Sequence, residues 1–177
     1  MPRLFTAIDI PNRFHEEIAA IKSPTLSTAR WTKPKQWHIT LHFIGDGEIE
    51  PLHEALKTIQ AKQFQLRIEG IGTFPTKGQP KVLWLGIEAS KELNILHNSI
   101  GEALKQTGFQ PDARRYKPHL TLARFKGSAD ITALQKCLDT NNDFSTPEFD
   151  VSEFVLYQSE LQPDGAVYTA LHRYPLK

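Results

Sequence analysis

Two short segments carry the same chemistry in the same register, His38-Ile39-Thr40-Leu41 and His119-Leu120-Thr121-Leu122, eighty-one residues apart. On a β-strand side chains alternate faces, so His38 and Thr40 point one way while Ile39, Leu41 and Phe43 point the other. His119 and Thr121 are set in the same way against Leu120 and Leu122. Each segment thus pairs a greasy face with a polar face whose imidazole and hydroxyl lie roughly 6.8 Å apart. Brought together across a cleft, one neutral imidazole can take a proton while the other, protonated, gives one, since free histidine titrates near ~6.5. The Thr40 and Thr121 hydroxyls can donate to phosphoryl oxygens, and Arg124 can offer its fork to the same oxygens. That set suits phosphodiester transfer without a metal.

Charge distribution points the same way. The net charge is only +1, yet eight of the 21 basic residues lie in two acid-free windows. These are Arg30, Lys33 and Lys35 before the first motif, and Arg114, Arg115, Lys117, Arg124 and Lys126 around the second. An anion site is the expectation.

Competing chemistries fare worse. His38 and His42 would be roughly 13 Å apart on a strand, too far to chelate one metal. His15, His53 and His97 read as solvated helix positions. No phosphate-cradling Gly-Lys-Ser/Thr loop and no Gly-x-Ser-x-Gly elbow occurs. The lone Cys137 excludes an internal disulfide and fits a packed helix face. No apolar run approaches the ~20 residues of a membrane span, and the start of the chain shows no signal segment, so a cytoplasmic, monomeric protein with no membrane partner is expected.

The elements that must position these residues repeat. Strand patterns at "RLFTAIDI", "WHITLHFI" and "FQLRIEGI" alternate with helical ones at "NRFHEEIAAIK", where Asn12 is the expected N-cap, and "EPLHEALKTIQ". The second half follows with "KVLWLGIEA", "HLTLARF" and "FDVSEFVLYQSE" as strands and "KELNILHNSIGEALKQTG" and "ADITALQKCLDT" as helices. A last strand is "AVYTALHRY". Two β-α-β-α-β copies predict an α+β fold: a single duplicated, bilobal domain over residues 1–177, its largely antiparallel sheets facing a central cleft. Strand order is not legible.

These residues resemble the two-histidine phosphoesterases, specifically the RNA 2′,3′-cyclic phosphodiesterase family, also called 2′-5′ RNA ligase-like proteins. The two His-x-Thr-x motifs carry the resemblance, with "RLFTAIDIP", "KVLWLG", "KPHLTLAR" and "YTAL" in family order over nearly the whole chain. It implies motifs facing each other across a cleft and cofactor-free, metal-independent hydrolysis of an RNA 2′,3′-cyclic phosphate to a 2′-phosphate, with 2′-5′ ligation as the reverse direction. By matching position, His38 is the proton donor and His119 the proton acceptor. Thr40, Thr121 and Arg124 bind the phosphate, and Tyr168 is a further cleft candidate. Residue chemistry alone leaves the two histidine roles interchangeable. Arg124, five after His119, faces away in an ideal strand, so a bulge or strand end is expected there. Thr6 stands where relatives often carry an aromatic, which leaves Phe5, Trp31 and Phe43 as stacking candidates for a base. Two alternatives stay open: an enzyme acting on a small cyclic nucleotide, and a non-catalytic clamp for RNA ends.

Overall fold

The computed structural model describes all residues 1–177. The elements run β1 (Arg3–Asp9), α1 (His15–Ala19), β2 (Ala29–Trp31), β3 (His38–Asp46), α2 (Ile49–Leu56), β4 (Phe64–Leu66), β5 (Ile68–Phe74) and β6 (Val82–Ile87). Then come α3 (Lys91–Lys105), β7 (His119–Phe125), α4 (Ile131–Thr140), β8 (Phe149–Val151), β9 (Glu153–Gln162) and β10 (Gly165–Pro175). No helix is long and apolar enough to cross a membrane.

Two antiparallel four-stranded sheets form the lobes, in the orders β10-β9-β1-β3 and β2-β7-β6-β5. The expected repeat is present, β1-α1-β3-α2-β5 matching β6-α3-β7-α4-β9, but a lobe is not one half of the chain. Strand β5 leaves the first half for the second sheet, and β9 and β10 return to the first. The crossing occurs where "FQLRIEGI" breaks at Arg67 and "FDVSEFVLYQSE" at Ser152. The pieces before each break, β4 and β8, pair with each other. Alternation cannot reveal such an exchange, because the periodicity continues through the break. Strand β2, too short to stand out in the sequence, adds an edge to β7.

The helices form for local reasons. Ser90 caps α3 by accepting the Leu93 N–H at 3.1 Å, which satisfies an otherwise unpaired donor. Leu93, Leu96, Ile100 and Leu104 of this helix are fully buried, each contributing roughly 1.5–3 kcal/mol. The chain then turns through Gly108 at φ +89°. Asp130 caps α4 in the same manner, and Cys137 is buried on its inner face, as expected. The first helix is shorter than its pattern suggests. Residues Asn12–Phe14 form a 3₁₀ turn with no side-chain cap, and the last turn closes by Ile21-to-Ile18 and Lys22-to-Ala19 bonds. Asn12 is therefore not the cap. One continuous apolar core of 33 buried residues draws on both sheets and the helices.

Candidate active site

Each motif strand departs from regular pairing at the same point. In β3, Thr6 of β1 is opposite His42 and Ala7 is opposite Thr40, so Leu41 is extra. In β7, Leu83 of β6 is opposite Ala123 and Trp84 is opposite Thr121, so Leu122 is extra. A bulged residue reverses the alternation beyond it. Leu41 and His42 are both buried, as are Leu122 and Ala123. What lies next swings to the cleft face: Phe43 in one lobe, Arg124 in the other. The bulge expected before Arg124 is present. Its twin in β3 corrects the reading of Phe43, which is 70% exposed and contacts Phe5 on the cleft side rather than lining the core.

Both bulges are pinned. Thr6, fully buried, accepts the His42 backbone N–H on its hydroxyl, so this position serves the strand and not a base. Thr32 holds the other bulge: its N–H donates to the Leu122 carbonyl at 2.8 Å, and its hydroxyl points at the Thr121 and Leu122 carbonyls. Trp37 Nε1–H in turn donates to Thr32 Oγ1 at 2.9 Å. Trp31, the β2 partner of Ala123, packs against the core.

The two imidazoles are held alike. His38 Nδ1–H donates to the Gln36 carbonyl at 2.8 Å, and His119 Nδ1–H to the Lys117 carbonyl at 2.7 Å. A carbonyl only accepts, so each Nδ1 carries the proton and each Nε2 is left for the cleft. Nε2 of His38 lies 3.0 Å from Thr40 Oγ1. Burial lowers the His38 pKa to about 4, against the opposing pull of the Gln36 carbonyl and Asp9, with His119 and Arg124 lowering it further. Burial also lowers His119; the Lys117 carbonyl opposes this and Arg124 adds to it. The Arg124 charge therefore acts on both imidazoles, and on Tyr168 as well, whose hydroxyl pKa is raised by burial and lowered in part by Arg124. The lobes meet here: β3 and β7 lie against each other, and Tyr116 donates to the Thr40 carbonyl at 2.8 Å.

Aromatic rings form the floor. Tyr168 stands edge-on to His38 with centroids 5.2 Å apart, and Phe5 packs against His38 at 4.9 Å. Across the cleft Phe74 stands edge-on to His119 at 5.0 Å. Trp84 lies flat over Gly72, where an added Cβ would meet the indole at 2.4 Å, so glycine is what lets the ring lie on the sheet. A cavity of about 830 Å³ opens beside His119, with Phe74, Trp84, Arg115 and Lys117 in its wall, while His38, Thr40, Thr121, Arg124 and Tyr168 lie outside it.

The structure thus brings His38, Thr40, His119, Thr121, Arg124 and Tyr168 to one cleft. Phe74, Trp84 and Tyr157 join them without having been singled out in the sequence; aromatic members of alternating runs were the only signal. His15, His53 and His97 are half-buried against aromatic neighbours rather than fully solvated, His15 standing edge-on to Trp37 at 5.3 Å. His97 is stacked between His42, at 4.1 Å, and Tyr116, at 3.8 Å. Burial, and then His42, lower its pKa to about 4. His53 stacks on His172 at 3.7 Å and bonds Tyr174.

Fold and site together define a two-lobed protein with a paired His-x-Thr cleft. Known proteins resemble it in sequence and in fold. A model of the 2′-5′ RNA ligase superfamily matches residues 10–163. An Archaeoglobus fulgidus protein named RNA 2′,3′-cyclic phosphodiesterase is 34% identical, covering 96% of this chain and 97% of that one. One of the same name from Methanocaldococcus jannaschii is 32% identical, covering 96% and 98%. Among solved structures, Thermus thermophilus TT0787 superposes with a TM-score of 0.79 at 27% identity, covering 98% and 97%. Escherichia coli LigT complexed with 3′-AMP gives 0.78 at 26% identity, covering 99% and 98%. The chain belongs to the 2′-5′ RNA ligase superfamily, the two-histidine phosphoesterases.

Proposed function

We propose that this protein hydrolyses the 2′,3′-cyclic phosphate end of RNA to a 2′-phosphate, with His38 as proton donor and His119 as base. The observation that carries the reading is the meeting of two His-x-Thr pairs at one arginine, each imidazole offering Nε2 to the same cleft. The names of the matched relatives and the 3′-AMP complex of LigT support the substrate class.

The cyclic phosphate anion sits between the lobes. Thr40 and Thr121 donate to its non-bridging oxygens, and Arg124 offsets charge that grows as the transition state forms. His119 Nε2 takes a proton from water as its oxygen bonds to phosphorus. The bond from phosphorus to the 3′ oxygen breaks, and His38 Nε2–H protonates that oxygen. The 2′ ester survives, which leaves a 2′-phosphate. A 5′-hydroxyl in place of water gives a 2′-5′ linkage by the same transfers. Phe43, exposed at the cleft edge, and Tyr168 are the rings best placed for the terminal nucleoside. Arg115 and Lys117 lie along the wall where further phosphates would run.

The test is product analysis after incubation, in EDTA, with a short RNA ending in a 2′,3′-cyclic phosphate. A 2′-phosphate product that disappears in both His38→Ala and His119→Ala supports the reading. Bound but unchanged RNA would favour a clamp, and turnover confined to mononucleotides would favour a small-nucleotide enzyme.

A further inference from the structure

The two lobes are alike in strand pairing but not in charge, and the difference lies beside one histidine. Across β1 and β3, the residue opposite His38 is Asp9. The corresponding residue opposite His119, across β6 and β7, is Gly86. Alternation along β1 puts Phe5, Ala7 and Asp9 on the cleft face, and the Phe5–His38 contact fits that placement. The Asp9 carboxylate is held at both oxygens: Tyr157 donates its hydroxyl to Oδ1, and Arg173 donates to Oδ2 at 3.0 Å. Tyr157 is itself stacked on Phe5, with centroids 5.3 Å apart. Arg173 also binds Glu153 at 2.6 Å, so one cation is shared by two carboxylates and the cluster keeps a net negative charge.

We propose that Asp9 is a positioning residue that makes His38 the proton donor: fixed by Tyr157 and Arg173, it supplies negative charge to the imidazole of one lobe where the other lobe has only glycine. This rests on the hydrolysis reading above. Neither nitrogen of His38 bonds Asp9, since Nδ1 is held by the Gln36 carbonyl and Nε2 lies beside Thr40 in the cleft, so Asp9 acts through its field. The charged and titratable groups facing His38 are Asp9 from β1, His119 and Arg124 from β7, and Tyr168 from β10. Asp9 is the one that favours an imidazolium. His119 faces Arg124 and has no carboxylate among its influences, the setting of a base. Burial drives His38 toward neutrality more strongly than Asp9 opposes it, which is why an acid in this position needs the carboxylate.

The test is Asp9→Asn, read by NMR titration of His38 and by the pH dependence of cyclic phosphate hydrolysis. Above the midpoints of both imidazoles, at about pH 8, the rate is proportional to the fraction of the acid still protonated. Losing the carboxylate is expected to lower the His38 midpoint and the rate at that pH together, by roughly three- to tenfold. Arg173→Gln, which leaves the carboxylates uncompensated, is expected to move both the other way, which damage to the fold would not do. A rate at about pH 8 that Asp9→Asn leaves unchanged, with a gain on the acid side, would make His38 the base and overturn the proposal. An unmoved His38 titration would overturn it too. That readout needs no turnover, whereas failure of the wild-type protein to form a 2′-phosphate would count against the hydrolysis reading instead.

Discussion

His38 poses a problem that its substrate must solve. With its pKa near 4, about one molecule in a thousand carries the protonated imidazole at pH 7, which relative to full protonation costs roughly 4 kcal/mol. An anion in the cleft would offset most of that. A single negative charge about 4.5 Å from the ring, at an effective dielectric near 20, is worth about 3.7 kcal/mol. That is roughly a 500-fold gain in proton affinity. Binding an anion should therefore take up a proton at His38. Sulfate is a suitable probe, because it is tetrahedral and keeps its charge over the whole range. With ionic strength held constant by chloride, saturating sulfate, which carries two such charges, is expected to raise the His38 midpoint in an NMR titration by at least about two to three pH units. By linkage, sulfate affinity measured calorimetrically should tighten about tenfold for each pH unit lowered between the free and bound midpoints, and level off below the free one. A His38 midpoint that ignores sulfate, or an affinity flat in pH, would show that the anion does not sit against this imidazole, and the assignment of His38 as acid would fall.

Three further expectations follow from the same geometry. Arg124→Ala should lower kcat/KM by roughly 10- to 150-fold, the worth of a hydrogen bond to a charged group, measured by steady-state kinetics; its exposure predicts an unchanged Tm. Phe43→Ala should raise KM for a base-bearing cyclic phosphate by about 5- to 150-fold, as loss of a stacking partner implies, and leave hydrolysis of an abasic cyclic phosphate unaffected. Stability should fall as pH drops from about 6.5 toward 4, because the folded state holds His38 neutral while the unfolded chain binds the proton; the loss is up to about 3 kcal/mol from His38 alone. Denaturant melts against pH measure it, and His38→Gln should flatten the slope.

Much of the site was legible because its residues are short-range patterns. Two His-x-Thr pairs on alternating strands declare both the face and the chemistry, and acid-free flanks declare an anion. What could not be read depends on the bulges. Leu41 and Leu122 look like ordinary inward residues, yet each shifts the register beyond it, so alternation assigned Phe43 to the core. Asp9 escaped notice because its relation to His38 is a cross-strand pairing, and pairing partners are not written along the chain. His97 escaped for a similar reason: its helical periodicity looks solvated until His42 and Tyr116 close on either side of it.

The exchange of strands between sheets bears on how the cleft can move. Each half of the chain gives two strands to each wall, and β4 and β8 clasp at the crossing. A cut in the loop between β5 and β6 would not release two independent globules but two interlocking fragments, each with an incomplete pair of sheets, and they should complement one another when mixed. For the same reason there is no single connecting segment about which the walls could swing apart. The two imidazoles are therefore positioned by sheets to which both halves of the chain contribute.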